Sequence, residues 1–78
     1  MNKQKFINEL SEYCEYEGGP FTPETEFNSI DDYDSLSILS IIAFLDEKYS
    51  IRITGEEALK MNTFNSVIEL IGVDKFDD

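Results

Sequence analysis

Ile30-Asp31-Asp32-Tyr33-Asp34-Ser35-Leu36-Ser37 is an acidic stretch that leads straight into an apolar one, Ile38 to Tyr49. Asp34 is a strong helix N-cap, because its carboxylate can accept the orphan amides of a first turn and its charge suits the positive helix end. A helix is therefore predicted from Asp34 or Ser35 to about Lys48 or Tyr49. Leu36, Ile38, Leu39, Ile41, Ile42, Phe44, Leu45 and Tyr49 leave it too few polar faces for a surface helix, so it reads as central. Ser37, Ser40, Asp46, Glu47 and Lys48 must supply its wet side. Ser35, the first helical residue, should project its hydroxyl into solvent. The chain has no histidine, so no imidazole base activates that hydroxyl for nucleophilic catalysis. Ser35 reads instead as a place where another enzyme attaches a group.

Working outward, residues 3 to 16 form a predicted first helix, with Phe6, Ile7, Leu10, Tyr13 and Cys14 on one face. Gly18-Gly19-Pro20 should end it. Residues 18 to 34 read as a long loop, in which Thr22-Pro23-Glu24 could make one helical turn and Phe27 and Ile30 anchor the core. Ile51-Arg52-Ile53 reads as an extended connector, followed by a short helix, Glu56 to Lys60. Thr63 should cap a last helix whose Val67, Ile68, Leu70 and Ile71 face inward and which Gly72 stops. The tail Val73 to Asp78 is charged and is expected to fray. The predicted fold class is all-α: a small bundle of three longer helices and one short one, forming a single domain over 1–78 with its core in 3–71.

Composition narrows the function. At 78 residues and 41% hydrophobic, the chain can bury one modest core. Its lone Cys14 cannot form an internal disulfide and is placed on the apolar face as an inert thiol. No run is long and apolar enough to span a membrane, and the N-terminus lacks the pattern of a secretory signal, so a cytoplasmic location is expected; the chain is also expected to be a monomer. Seventeen acidic against six basic residues give a net charge of −11. That disfavours nucleic acid; the charge either steers partners with basic surfaces towards the chain or only keeps a small protein soluble.

With these elements in register, Asp34-Ser35-Leu36 resembles the phosphopantetheine attachment site of acyl carrier proteins. Phe44-Leu45-Asp46-Glu47-Lys48-Tyr49-Ser50-Ile51-Arg52-Ile53 resembles the end of that family's second helix and its exit. Glu56-Glu57-Ala58 and Met61-Asn62-Thr63-Phe64 resemble its short third helix and the start of its fourth, and Phe27 stands where the family commonly has phenylalanine. The resemblance spans about residues 3 to 71. It implies a non-catalytic carrier in fatty acid biosynthesis or related lipid metabolism: a phosphoprotein with 4'-phosphopantetheine on Ser35, whose thiol end would hold an acyl cargo. A phosphopantetheinyl transferase and acyl-loading and acyl-transferring enzymes are the implied partners. Asp34, Leu36, Ser40, Asp46 and Glu47 would be recognised by them. Phe6, Leu10, Phe27, Ile42, Leu45, Ile53 and Ile68 would line the acyl cavity.

Departures from the family pattern point to a dedicated pathway. Asp31-Asp32 replaces the usual leucine-glycine, Tyr33 a small residue, and Ser37 and Ser40 stand at typically acidic positions. Other readings fit less well. An EF-hand begun at Asp32 fails, since Leu36 sits where an oxygen ligand should be and the glycine is missing, so no dedicated metal site is expected. An unmodified acidic interaction module, either a docking subunit or a nucleic-acid mimic, explains the charge but not the apolar helix beginning at Ser35. An enzyme lacks support: there is no histidine, no Gly-rich phosphate loop and no metal-ligand spacing. Tyr33 could cover the base of an attached arm or simply pack under the loop.

Overall fold

The computed structural model describes all 78 residues. Four helices form: α1 (Lys3–Tyr13), α2 (Ser35–Tyr49), α3 (Gly55–Leu59) and α4 (Phe64–Ile71), with 3-10 turns at Phe27–Ser29 and Val73–Lys75. The last three helices start at side-chain caps. Asp34, Thr54 and Thr63 each accept an amide of the first turn, and the third helical residue (Ser37, Glu57 or Ser66) answers by accepting the cap's own N–H. That reciprocal bonding satisfies donors that a helix start otherwise leaves open.

One apolar cluster joins all four helices. Phe6, Ile7 and Leu10 come from α1, Ile41, Phe44 and Leu45 from α2, Ala58 from α3, and Phe64, Val67, Ile68 and Ile71 from α4. The long loop is fastened to this core. Phe27 meets Phe64 edge-on at 4.9 Å, and Ile30 is buried beside it in the cluster. Backbone bonds from Phe27 N to Asn62 O (2.8 Å) and from Asn65 N to Pro23 O (2.8 Å) tie the loop to the α3–α4 connection. The loop's Thr22–Thr25 turn closes through Thr25 N to Thr22 O, without becoming a helix.

Four expectations need correction. First, α1 ends at Tyr13 rather than running to residue 16, because Glu15 adopts a left-handed φ of 59°. On a continued helix Tyr16 would face away from the stripe of Phe6, Leu10 and Cys14. Breaking the helix instead swings its ring into the core, edge-on to Phe21.

Second, Ser37 is not on the wet side: it is only 7% exposed, drawn inward by its bonds to the cap. Third, α2 is not buried all round. Its buried face is Ile41, Phe44 and Leu45, with Ile38, Ile42 and Tyr49 half-buried, which leaves Leu36 and Leu39 in solvent.

Fourth, the tail is docked. Phe76 is 7% exposed and packs edge-on against Phe6 at 5.6 Å. Asp77 N donates to Met1 O (2.6 Å), Met1 N to Lys75 O (3.0 Å) and Lys3 N to Asp78 Oδ1 (2.9 Å). The charged composition suggested fraying, but one buried aromatic ring outweighs it. Phe76→Ala should therefore cost about 3 kcal/mol in urea denaturation, the usual cost of removing a core phenylalanine. A loss under about 0.5 kcal/mol, as for a surface site, would mean that the tail is loose.

Candidate functional site at the start of α2

The site is built from a cap. Asp34 has an extended backbone, and its Oδ1 accepts from Leu36 N and Ser37 N, both at 3.0 Å. Asp34 N in turn donates to Ser37 Oγ (3.3 Å), and Ser37 Oγ donates to Asp32 O (3.2 Å). Asp32 Oδ2 accepts from Glu17 N (3.0 Å), which ties the acidic loop to the end of the α1 turn. Tyr33 stacks on Phe27 with ring centroids 5.2 Å apart and planes 15° from parallel. Its ring thus packs under the loop, and burial raises its pKa above the ordinary tyrosine value.

This scaffold leaves Ser35 exposed at the first position of α2. Its neighbours make the bonds of the helix start, and its hydroxyl has no partner in the chain. The exposed hydroxyl leaves room for a phosphodiester directed to solvent. The helix dipole favours an anion here, but Asp34 already holds the Leu36 and Ser37 amides and repels a second negative group from them. A group on Ser35 would stand outward, away from the core.

The expected recognition residues are not equivalent. Asp34 is engaged as the cap, Leu36 is bare, and Ser40 is half-buried. Asp46 Oδ1 pairs with Arg52 Nε at 3.6 Å, and Glu47 Oε2 accepts from Tyr13 OH at 3.2 Å. Partial desolvation and the Glu47 carboxylate raise the Tyr13 pKa. Of the expected acyl-cavity residues, Phe6, Leu10, Phe27, Leu45 and Ile68 are buried, whereas Ile42 and Ile53 are half-buried against the same cluster. The structure thus brings them together as packed core. Asp31, Asp32 and Asp34 do not gather with any other residue into a metal-holding group.

Sequence reasoning missed two participants. Ser37 is the reciprocal member of the cap, a role its spacing from Asp34 could have signalled. Arg52 of the connector stands 3.6 Å from Asp46 as a solvent-exposed ion pair, which only the folded path of the chain reveals. Cys14 and Tyr16 lie beneath the site. Burial pushes the Cys14 thiol up to about 11, in keeping with an inert cysteine. The Tyr16 hydroxyl is buried without a hydrogen-bond partner of good geometry, although it lies near Ser37 and Cys14.

No family model matches the chain. An acyl carrier protein of Helicobacter hepaticus is 38% identical over 53 residues, covering 68% of this chain and 70% of that protein. An acyl carrier protein of Helicobacter pylori is 32% identical over 62 residues, covering 80% of each. A solved chain from Mycobacterium tuberculosis, provisionally described as an acyl carrier protein, superposes with a TM-score of 0.74 at 21% identity, covering 91% of this chain and 96% of that one. The chain belongs to the acyl carrier protein family. That class consists of non-catalytic carriers that generally bear phosphopantetheine and are visited by enzymes. No helix here is long and apolar enough to cross a membrane.

Two predictions follow from the groups beneath the site. Tyr16→Phe removes an unpaired buried hydroxyl and should leave stability unchanged or raise it by up to about 1 kcal/mol in a thermal melt. A clear loss would mean that the hydroxyl bonds Ser37. Alkylation of Cys14 should be slow at neutral pH and speed up about tenfold per pH unit until pH passes about 11. The sign also reaches stability. The folded thiol titrates above its ordinary value of 9.0, so its contribution is intact below pH 9.0 and is lost as pH rises through about 11.

Proposed function

We propose that this chain carries acyl groups on a 4'-phosphopantetheine arm attached through Ser35 Oγ. The observation that carries the reading is the exposed, unpartnered Ser35 hydroxyl on the first residue of a capped helix, inside Asp-Ser-Leu, in a member of the acyl carrier family. Attachment would be done by a phosphopantetheinyl transferase using a pyrophosphate-linked donor such as coenzyme A. The Ser35 oxygen bonds the phosphorus of the pantetheine side, the bridging P–O bond breaks, and the adenosine phosphate leaves with its electron pair. The serine proton passes to a base of the transferase, since this chain has no histidine to take it. The bound arm supplies a thiol that holds the acyl group as a thioester.

This chain's own residues orient the attachment point. Asp34 and Ser37 fix the helix start, and the packed Phe27–Tyr33 pair steadies the loop before it. Tethering keeps an intermediate at high effective concentration for successive enzymes. The residues Phe6, Leu10, Phe27, Ile42, Leu45, Ile53 and Ile68 offer an apolar lining, so a cargo chain would enter by parting core contacts. A dedicated pathway, such as surface glycan, lipid modification or secondary metabolism, suits this chain better than bulk fatty acid synthesis. Ser37 and Ser40 are uncharged, and Asp31-Asp32-Tyr33 departs from the common loop. The carrier would work in the cytoplasm as a monomer.

Intact mass after co-expression with a broad-specificity transferase should show one added phosphopantetheine, and Ser35→Ala should show none. Modification that persists in Ser35→Ala would place the arm on another residue, and its absence from wild type with several transferases would leave the unmodified docking-subunit reading in its place.

A further inference from the structure

Two adjacent residues at the end of α1 carry costs that the rest of the core does not. Glu15 N donates to Glu12 O (3.1 Å) and Tyr16 N to Ser11 O (2.9 Å), the paired bonds that close a helix over a left-handed residue. Glycine suits that position best, yet Glu15 occupies it with a φ of 59°. Beside it, Tyr16 is buried, and its hydroxyl is the one buried side-chain polar atom without a hydrogen-bond partner. A buried hydroxyl left unpaired has given up water with nothing in return. Burial also raises its pKa well above the ordinary 10.0, with Ser37 and Cys14 close by.

Tyr16 is also the loosest ring of its row. The rings run Tyr16–Phe21–Phe64–Phe27–Tyr33, with centroids 6.4, 5.6, 4.9 and 5.2 Å apart in turn. The phenylalanines of that row bury no polar atom in their side chains and sit on no left-handed neighbour. The other conformation open to Tyr16 is well defined. With Glu15 right-handed, α1 continues through Tyr16, whose ring then faces away from the core. Glu15 loses its strain, the hydroxyl regains water, and an apolar space the size of the ring opens beside Cys14, Phe21 and Ser37, two residues from the attachment point. Only an apolar occupant offsets the loss of the ring from that space. The chain of an acyl group tethered to Ser35 is such an occupant.

We infer that a medium-length acyl chain enters the core by taking the place of the Tyr16 ring, and that loading thereby lengthens α1 and turns Tyr16 out to solvent. The inference rests on the proposed arm at Ser35. It adds Tyr16, which lies outside the expected cavity lining, as the side chain that the cargo displaces. The loaded carrier then differs from the empty one on its surface, at the end of α1.

The test uses the full chain, loaded by a broad-specificity transferase from octanoyl- or acetyl-coenzyme A. The acetyl group is too short to fill the space and serves as the reference. In NMR spectra with a soluble gadolinium chelate, the Tyr16 ring should stay shielded in the acetyl form and be broadened in the octanoyl form. Nuclear Overhauser contacts should join the octanoyl chain to Phe21 and Cys14. Hydroxylamine should cleave the octanoyl thioester more slowly than the acetyl one. Glu15→Gly relieves the backbone and Tyr16→Phe removes the unpaired hydroxyl, so both hold the ring in place. Each should speed octanoyl cleavage about fivefold, the scale of relieving one such penalty, and leave acetyl cleavage unchanged. Ser50→Gly is the control: Ser50 is the other left-handed residue that is not glycine, with a φ of 55°, and it lies at the far end of α2. That variant should change neither rate. A Tyr16 ring that stays shielded in the octanoyl form, an octanoyl thioester cleaved as fast as the acetyl one, rates unmoved by both Glu15→Gly and Tyr16→Phe, or an equal effect of Ser50→Gly would overturn the Tyr16 site and leave the Ser35 arm standing. If wild type accepts no arm from several transferases, the Ser35 reading fails and this inference fails with it.

Discussion

The reciprocal bonding of Asp34 and Ser37 is the contact on which the functional end of this protein depends. Asp34 holds the first amides of α2, and Ser37 holds Asp34 and the carbonyl of Asp32. Asp32 reaches in turn to Glu17, so the acidic loop, the α1 turn and α2 share one hydrogen-bonded seam. A cap of this kind contributes about 1 kcal/mol, a small fraction of a domain's stability. Its larger consequence is geometric. It settles which residue is first in the helix, and so which hydroxyl is left free.

Beneath the seam, aromatic rings position the loop. Phe27 lies between Tyr33, stacked on one side, and Phe64, edge-on at the other. Phe64 is the first residue of α4, so the loop before Ser35 is referenced to the helix farthest from it in sequence among the four. At the opposite end, Phe6 gathers Phe44, Tyr49 and Phe76. A chain with no disulfide thus holds both ends of α2 by ring packing, and aromatic pairs contribute beyond their buried area.

Much of this was legible in the sequence. The caps at Asp34 and Thr63, the stop at Gly72, the anchors Phe27 and Ile30 and the extended Ile51–Ile53 connector are all local signals, and the chain follows them. Non-local packing decided the remainder. The left-handed Glu15 that ends α1 early exists because Tyr16 gains burial by it. The docking of Phe76 depends on the space beside Phe6, and the pairing of Asp46 depends on where the connector delivers Arg52. At the site, an exposed Ser35 could be foreseen from its cap, whereas the inward turn of Ser37 and the bareness of Leu39 required knowing which face of α2 meets the core.

The account is tested most directly by amide NMR spectra recorded before and after transfer of the arm to the purified chain. A rigid, capped helix start with an outward-facing group predicts shifts concentrated at Asp34, Ser35, Leu36 and their neighbours on that face. The amides of the buried Ile41, Phe44 and Leu45 should stay in place. Shifts spread through the core, or an unmoved Ser35 amide with the arm attached elsewhere, would contradict it.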